Sequence, residues 1–349
     1  MGPALRDVVE EAFRVQERGV DWRSAIAGAL AVAGPLLLGL AADDTAAGVS
    51  AALGGLNGAL VVPRAGLAVR AGWAAAASLA LLAAFTLATL TTEHVAALVA
   101  VTCGWVALWG FLRAAGPAGA LDGFAISVVL VVVAGIPVSD TPFDERLAWF
   151  ACGVAPGAAL MVAARRHPER QVPTVATAMR AAGLAMRRDG ALRAHVARLA
   201  VVVALCTLLE RALDLPHGYW VPMTVLAVLQ PGRRATRVRS VQRVVGTLAG
   251  ASLIILVTVV TGEPWVLAVL AGLAAGGLFA LDERGYFWLV VMLTPTALLV
   301  VSVARFQGDA IGVERVAESG LGILIGLAVG ELVGWLAARR RPAVATAGA

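Results

Sequence analysis

Apolar runs close to the length that crosses a bilayer recur along the whole chain, and this pattern leaves few folds open. They fall at 24–41, 46–62, 71–90, 95–112, 121–136 and 147–164, then at 196–213, 219–232, 244–261, 265–281, 286–304 and 318–337. A helix needs about 17–25 apolar residues to span the hydrocarbon core, and most of these runs approach that length. The run at 219–232 is short for a full crossing. The runs are continuous, not alternating ten-residue segments, so helices are expected and a β-barrel is not. Of the 349 residues, 60% are hydrophobic and 15% charged, against about 25% charged in a soluble domain. A soluble chain has no place to hide that surplus of apolar surface. The expected fold is an all-α polytopic membrane protein of about twelve transmembrane helices.

The charges order these spans. All 28 basic residues are arginine, and against 23 acids they leave a net charge of +5. Arginines mark every second loop: Arg64 and Arg70, Arg113, the stretch from Arg165 to Arg198, then Arg233, Arg234, Arg237, Arg239 and Arg243, then Arg284, and finally Arg339, Arg340 and Arg341. The loops between them hold Asp43 and Asp44, Glu93 and His94, Asp140 to Arg146, Glu210 to His217, Glu263, and Arg305 to Glu318. These are acidic or mixed. By the positive-inside rule the arginine loops are cytoplasmic, so both termini are expected on the cytoplasmic side of the cell (inner) membrane. Topology accounts for the arginines. The lipid bilayer is therefore an expected partner and nucleic acid is not.

The two halves share a layout. Pro63-Arg64 corresponds to Pro231-Gly232-Arg233, and a glycine opens the next span in each half, Gly72 and Gly246. Six spans per half keep both halves in one orientation, which predicts two parallel six-helix repeats with sites at their interface. The expected divisions are a cytoplasmic segment 1–23, a first repeat 24–164, a basic linker 165–195, a second repeat 196–337 and a cytoplasmic tail 338–349. Within 1–23, Leu5, Val8, Val9, Ala12 and Phe13 fall at helical spacing, as for an amphipathic helix on the membrane surface. That segment has no apolar centre and does not read as a cleavable signal peptide. In the linker, Val175, Met179, Ala182 and Met186 share one face. Glycines at 322, 326, 330 and 334 allow close helix approach, within one chain or in a homo-oligomer.

Enzyme chemistry has little to stand on. A chain without lysine has no Schiff-base lysine and no Walker A motif, and neither HExxH nor GxSxG occurs. Cys103, Cys152 and Cys206 lie far apart in apolar runs, so neither a metal site nor a disulfide framework is expected. No cofactor is expected. What remains is a handful of polar residues inside the spans. Tyr219 and Trp220 present rings able to stack on an aromatic solute, or to form an interfacial belt. Thr224 and Gln230 can donate hydrogen bonds to a carboxylate, Pro222 and Pro231 bracket the short span, and Thr247 follows Gly246. Arg243 can hold an anion by its planar fork. Asn57, flanked by glycines, and Glu331, eight residues before Arg339, are polar groups within spans; Glu331 is the candidate for proton or ion coupling.

The stretch 215–251 carries a resemblance. Tyr219-Trp220 with Pro222, Gln230-Pro231, Thr236, Gln242-Arg243, Gly246-Thr247 and Gly250 resemble, in that order, the core motif of the fusaric-acid-resistance-like, aromatic-acid-exporter-like membrane family. The resemblance implies export of aromatic or other small organic acids, and secondary transport follows from the absence of nucleotide-binding motifs. A passive organic-anion channel and a non-transporting membrane scaffold are the alternatives.

Overall fold

The computed structural model describes residues 3–14, 19–136, 141–165, 172–215, 217–304 and 310–339. Arg18, Asp140, Arg305, Arg340 and Arg341 lie outside them, as do residues 166–171 of the linker and the tail from 340. The described residues form helices and no strand. A backbone in lipid must satisfy its own hydrogen bonds, and the Ala- and Leu-rich runs favour doing so as helices.

In chain order the helices are α1 (Pro3–Ala12), α2 (Trp22–Ala41), α3 (Thr45–Leu60), α4 (Leu67–Thr91), α5 (Val95–Gly110), α6 (Pro117–Gly135) and α7 (Phe143–Ala164). There follow α8 (Val175–Arg188), α9 (Gly190–Ala212), α10 (Trp220–Val228), α11 (Arg233–Val260), α12 (Pro264–Leu281), α13 (Tyr286–Ala304) and α14 (Ala310–Arg339). Short 3-10 turns follow α5 (Phe111–Ala115) and α12 (Asp282–Arg284). Acids at the loops cap the helices that follow: Asp21 accepts from Ser24 N, Asp44 from Ala47 N, and Asp189 from Ala191 N and Leu192 N.

Among the described residues nine helices are long and apolar enough to cross a membrane: α2, α4, α5, α7, α9, α11, α12, α13 and α14. The other three expected positions hold shorter elements: α3 with 16 residues, the apolar part of α6 (Gly119–Gly135), and α10 with 9. At 1.5 Å per residue α10 is roughly 13 Å long, well short of the run expected at 219–232. Pro231 is the reason, because the residue before a proline is pushed out of the helical region. Two starts also differ. The helix expected at 244 begins at Arg233, since arginine is a good helix former that hydropathy counts as loop. The helix expected at 318 begins at Ala310, which draws Arg315 into its second turn.

The spanning helices turn apolar side chains outward. Leu38, Leu79, Val259 and Val260 are each 70% or more exposed, a surface suited to lipid tails and not to water. The chain is a multi-pass membrane protein.

Helix contacts come in matched sets. α3 packs on α7 as α10 packs on α14; α4 packs on α6 and α7 as α11 packs on α13 and α14. Between the halves, α5 packs on α9 and α12 on α2, while α6 packs on α10 and α13 on α3. Of the flanking helices, α1 lies on α11, and α8 lies chiefly on the 3-10 turn after α5 with α9 and α4 beside it. The apolar face expected on α1 is thereby turned towards α11. Val8 and Ala12 are covered by Val238 and Val241 of α11, Gln242 donates to the Ala12 carbonyl, and Arg234 pairs with Glu11. α8 is held likewise: Ala178 and Ala182 are buried, and Trp73 Nε1 donates to the Pro173 carbonyl just before it.

Small residues bring α3 and α7 together. A Cβ on Gly54 or Gly58 would meet the carbonyls of Phe150 and Val154, and one on Gly153 or Gly157 would meet those of Ala51 and Gly55. At one end of the bundle an ion cluster fastens one half to the other. Arg64, between α3 and α4, pairs with Asp21 before α2 and with Asp282 (2.7 Å) and Glu283 (3.0 Å) after α12. Arg165, at the end of α7, donates to the second Asp282 oxygen at 2.9 Å. Burial would raise the Asp21 carboxyl, but hydrogen bonds from Arg64 and Ser24 outweigh it and hold it at about 2.

Two outcomes follow from this packing. Gly153→Val has backbone on the receiving side, so it destabilises the detergent-solubilised protein by about 2–3 kcal/mol and lowers its thermal midpoint. Gly72→Ala meets nothing within 4 Å and leaves the midpoint in place. Asp21 is depressed in the folded state, so its contribution is full above the unfolded carboxylate value of about 4 and is lost as pH falls towards about 2. An acid-unfolding titration of Asp21→Asn lacks that component, while the two curves differ by a constant amount above about pH 5.

Candidate functional site

The second half buries a group of polar side chains that an apolar bundle has no use for. Thr236, Ser240, Arg243 and Thr247 lie along one face of α11 at helical spacing, and all are buried. Arg315 of α14 is 1% exposed, as is Arg243. The Arg315 guanidinium lies over the Trp220 ring at 3.6 Å from its centroid, and Trp220 in turn packs on Tyr219 with ring centroids 4.6 Å apart. Arg243, Tyr219, Tyr286 and Glu318 are all within electrostatic reach of Arg315. Two arginines therefore share this region, and the acid in reach of Arg315 among the described residues is Glu318, a turn along α14.

Each element has a local reason to be there. Tyr219 starts α10 and backs onto Gly135 of α6, where a Cβ would strike its ring. Gly322 lets α14 settle against Val221 and Thr224, and Gly246 and Gly250 let α11 close on Val290 and Thr294 of α13. Arg239, one turn before Arg243, lies over the Tyr286 ring at 3.9 Å. Nε and Nη2 of Arg243, and Nε and Nη1 of Arg315, meet no acceptor among the described residues. The same holds for Trp220 Nε1, Thr224 Oγ1, Thr247 Oγ1, Ser240 Oγ and Ser319 Oγ. Interiors normally pair such atoms, and each orphan calls for an explanation. Guanidinium forks beside aromatic faces and hydroxyls have the chemistry to bind a carboxylate carrying an apolar or aromatic body.

The structure brings Tyr219, Trp220, Thr224, Arg243 and Thr247 into this half's interior and leaves three other candidates elsewhere. Tyr219 and Trp220, each 3% exposed, form no interfacial belt. Gln230 is committed to local structure. Its Oε1 accepts from Arg113 at 2.9 Å, its Nε2 donates to the Ala227 carbonyl, and its backbone N–H donates to Thr236 Oγ1. Asn57 donates to the Leu53 carbonyl of its own helix at 2.8 Å. Glu331 is not enclosed: it is over a third exposed and pairs with Arg233 and Arg237 of α11. The longer α11 causes this, because it supplies arginines where a loop was expected.

Arg315 is the residue that reading the sequence misses. Drawing the last span from 318 left it in a mixed outer loop, although Arg315 and Glu318 stand one turn apart at the head of the 322–334 glycine repeat. Buried Asp122, His195 and Glu210 were likewise lost near span ends.

Comparison with known proteins bears on this half. Residues 199–329 match the family described as fusaric acid resistance protein-like. The fusaric acid resistance protein-like segment holds Tyr219, Trp220, Thr224, Gln230, Arg243, Thr247 and Arg315, and leaves Asn57 and Glu331 outside. The chain is 33% identical over 134 residues, 38% of its length, to the "Uncharacterized protein YhfK" of Escherichia coli (strain K12), covering 19% of that protein. It is 29% identical over 141 residues, 39% of its length, to the "Inner membrane protein YccS" of the same organism, again covering 19%. The chain thus spans about a fifth of the length of these curated relatives. No solved structure matches it.

Gln230 joins α10, the 3-10 turn after α5 and α11 through neutral and charged bonds. Gln230→Ala removes the partner of buried Arg113 and lowers stability by about 1–3 kcal/mol, read as a drop in thermal midpoint relative to wild type.

Proposed function

We propose that this chain is a secondary transporter that exports small organic acids, aromatic ones foremost, with Arg243 and Arg315 receiving the carboxylate. The observation that carries the reading is the pair of buried guanidiniums, each with its Nε and one Nη meeting no acceptor among the described residues, beside the Tyr219–Trp220 ring pair. A buried charge without full compensation is costly in a membrane protein, and such residues mark substrate pathways. The fusaric acid resistance protein-like match over the same residues supports it.

Arg315 sits on the Trp220 face, so the ring positions its guanidinium plane and provides a flat apolar wall beside it. A carboxylate bridging both forks leaves the hydrocarbon part of the acid against Trp220 and Tyr219. Thr224 and Thr247 then add neutral hydrogen bonds, which orient the acid without trapping it electrostatically.

The larger frame belongs to the same proposal. The helices form twelve membrane elements in two parallel six-helix repeats, with both termini cytoplasmic in the inner membrane. The matched contact pairs and the arginine distribution support that arrangement. The halves touch through swapped partners, so rocking one against the other exposes the arginine pair to each side in turn, driven by the proton gradient or the membrane potential.

Benzoate efflux from loaded proteoliposomes tests the reading. A charge-assisted hydrogen bond contributes about 1.5–3 kcal/mol, so Arg243→Gln and Arg315→Gln each slow efflux about 10- to 100-fold. Arg315→Lys, which keeps the charge and loses the fork, is intermediate. Efflux by both glutamine variants at the wild-type rate overturns the assignment, and wild-type protein that moves no organic acid across a broad panel overturns the function.

A further inference from the structure

The first half contains a buried acid that the anion site does not use. Asp122, in the second turn of α6, is 3% exposed, and its Oδ2 meets no donor among the described residues. The elements packed on α6 bring few charges towards it. α3 and α10 carry none, α5 carries only the thiol of Cys103, α4 carries Arg70, the turn after α5 carries Arg113, and Arg165 follows α7. Of these, Arg165 is the one that reaches Asp122 electrostatically.

Arg165 is itself divided. Its side chain is 6% exposed, Nη2 donates to Asp282 at 2.9 Å, and Nε meets no acceptor among the described residues. Asp282 is also held by Arg64 at 2.7 Å, so it keeps a partner if Arg165 leaves. The bond from Arg165 to Asp282 joins the end of α7 in the first half to the turn between α12 and α13 in the second. Asp282, Asp21 and Asp122 are all within electrostatic reach of this one guanidinium, which is bonded to Asp282 across the halves and has Asp122 within its own half.

We propose that Asp122 is a proton-binding site that works this cytoplasmic latch, by competing with Asp282 for Arg165. With its carboxyl protonated, Asp122 is neutral and Arg165 stays on Asp282, so the halves are fastened. When the carboxyl O–H gives its proton to cytoplasmic water, the carboxylate left behind has no other cation in reach among the described residues and draws Arg165 to itself. The link between α7 and the turn at 282–284 then opens, while Arg64 keeps Asp282 neutralised. Reprotonation reverses the exchange. Glu331 is poorly placed for this work, because two arginines and open solvent already hold it charged. The proposal rests on the transport reading only for its purpose, and its test needs no cargo.

The experiment uses the full chain in lipid nanodiscs. Infrared spectra at neutral pH show the C=O stretch of a protonated carboxyl, which disappears as pH is raised. Asp122→Asn removes most of that band, whereas Asp122→Glu, Glu331→Gln and Asp282→Asn keep it. Spin labels on Ala163→Cys and Arg284→Cys, in a chain whose three cysteines are replaced by alanine, report the latch. Their separation lengthens over the same pH interval in the parent and stays short at all pH values in the Asp122→Asn background. An intact band in Asp122→Asn overturns the proton site, and a separation that ignores pH while the band titrates overturns the latch. If Asp122→Asn does not fold, Asp122→Glu decides: it must keep both responses. Failure of benzoate efflux with both signals present removes the transport reading and leaves the latch standing.

Discussion

A charge inside a low-dielectric bundle is expensive unless it is paired, hydrogen-bonded or put to use. Where this chain accepts that cost orders the rest of its structure. Most of its arginines avoid it by sitting at the helix ends, where they reach water or an acid. Arg64 accepts partial burial with three carboxylates around it. Arg243 and Arg315 accept nearly complete burial with far less compensation, and the helices around them are arranged accordingly. α10 is short, α14 starts early, and Trp220 turns inward to lie under a guanidinium. None of these three features helps a helix cross lipid. Together they form the walls of the anion site proposed above.

Lipid offers no hydrophobic drive for helix association, so backbones that pack in a membrane must approach closely. Here glycine provides that approach, and its neighbours decide what it builds. α3 and α7 meet glycine on glycine and alanine, backbone to backbone, and nothing can enter. The α11–α13 contact is made through Gly246 and Gly250 against valine, threonine and proline side chains, which keeps the buried polar face of α11 beside α10 and α14.

Much of the fold was legible because hydropathy and arginine placement report two independent constraints, and they agree. Every run read from the sequence contains a helix of the structure. What was lost lies at helix ends. Hydropathy ends a helix where polar residues begin, so Arg233 to Arg243 read as a loop although arginine extends helices readily. That single misreading hid the partners of Glu331, which pairs with Arg233 and Arg237. The same bias placed Arg315 outside the span. Tyr219, Trp220 and Arg243 were found because aromatic and basic residues beside an apolar run are conspicuous. Gln230 was equally conspicuous, yet its bonds are spent on closing α10. Sequence shows which polar residues are present in a span and not whether their hydrogen bonds are already used.

The spacing of two helices shows why the polar site belongs to the second half. Arg146, Gly153 and Gly157 of α7 recur at the same intervals as Arg315, Gly322 and Gly326 of α14. The partners of these glycines differ. Gly153 and Gly157 pack on Ala51 and Gly55 of α3, whereas Gly322 packs on Val221 and Thr224 of α10, and Gly326 on Val228. With small residues opposite, α3 and α7 close completely, and Arg146 is left at the rim of a cavity of about 310 Å³ beside Asp44, Glu145 and Trp149. With branched residues opposite, α14 rests through Gly322 on the Val221 carbonyl and the Thr224 side chain and through Gly326 on the Val228 side chain, and Arg315 folds inward over Trp220. One arrangement of arginine and glycines thus has two results, chosen by the bulk of the facing helix. Enlarging the small residues of α3 forces the closed pair apart, whereas trimming those of α10 removes the support that keeps Arg315 over its ring.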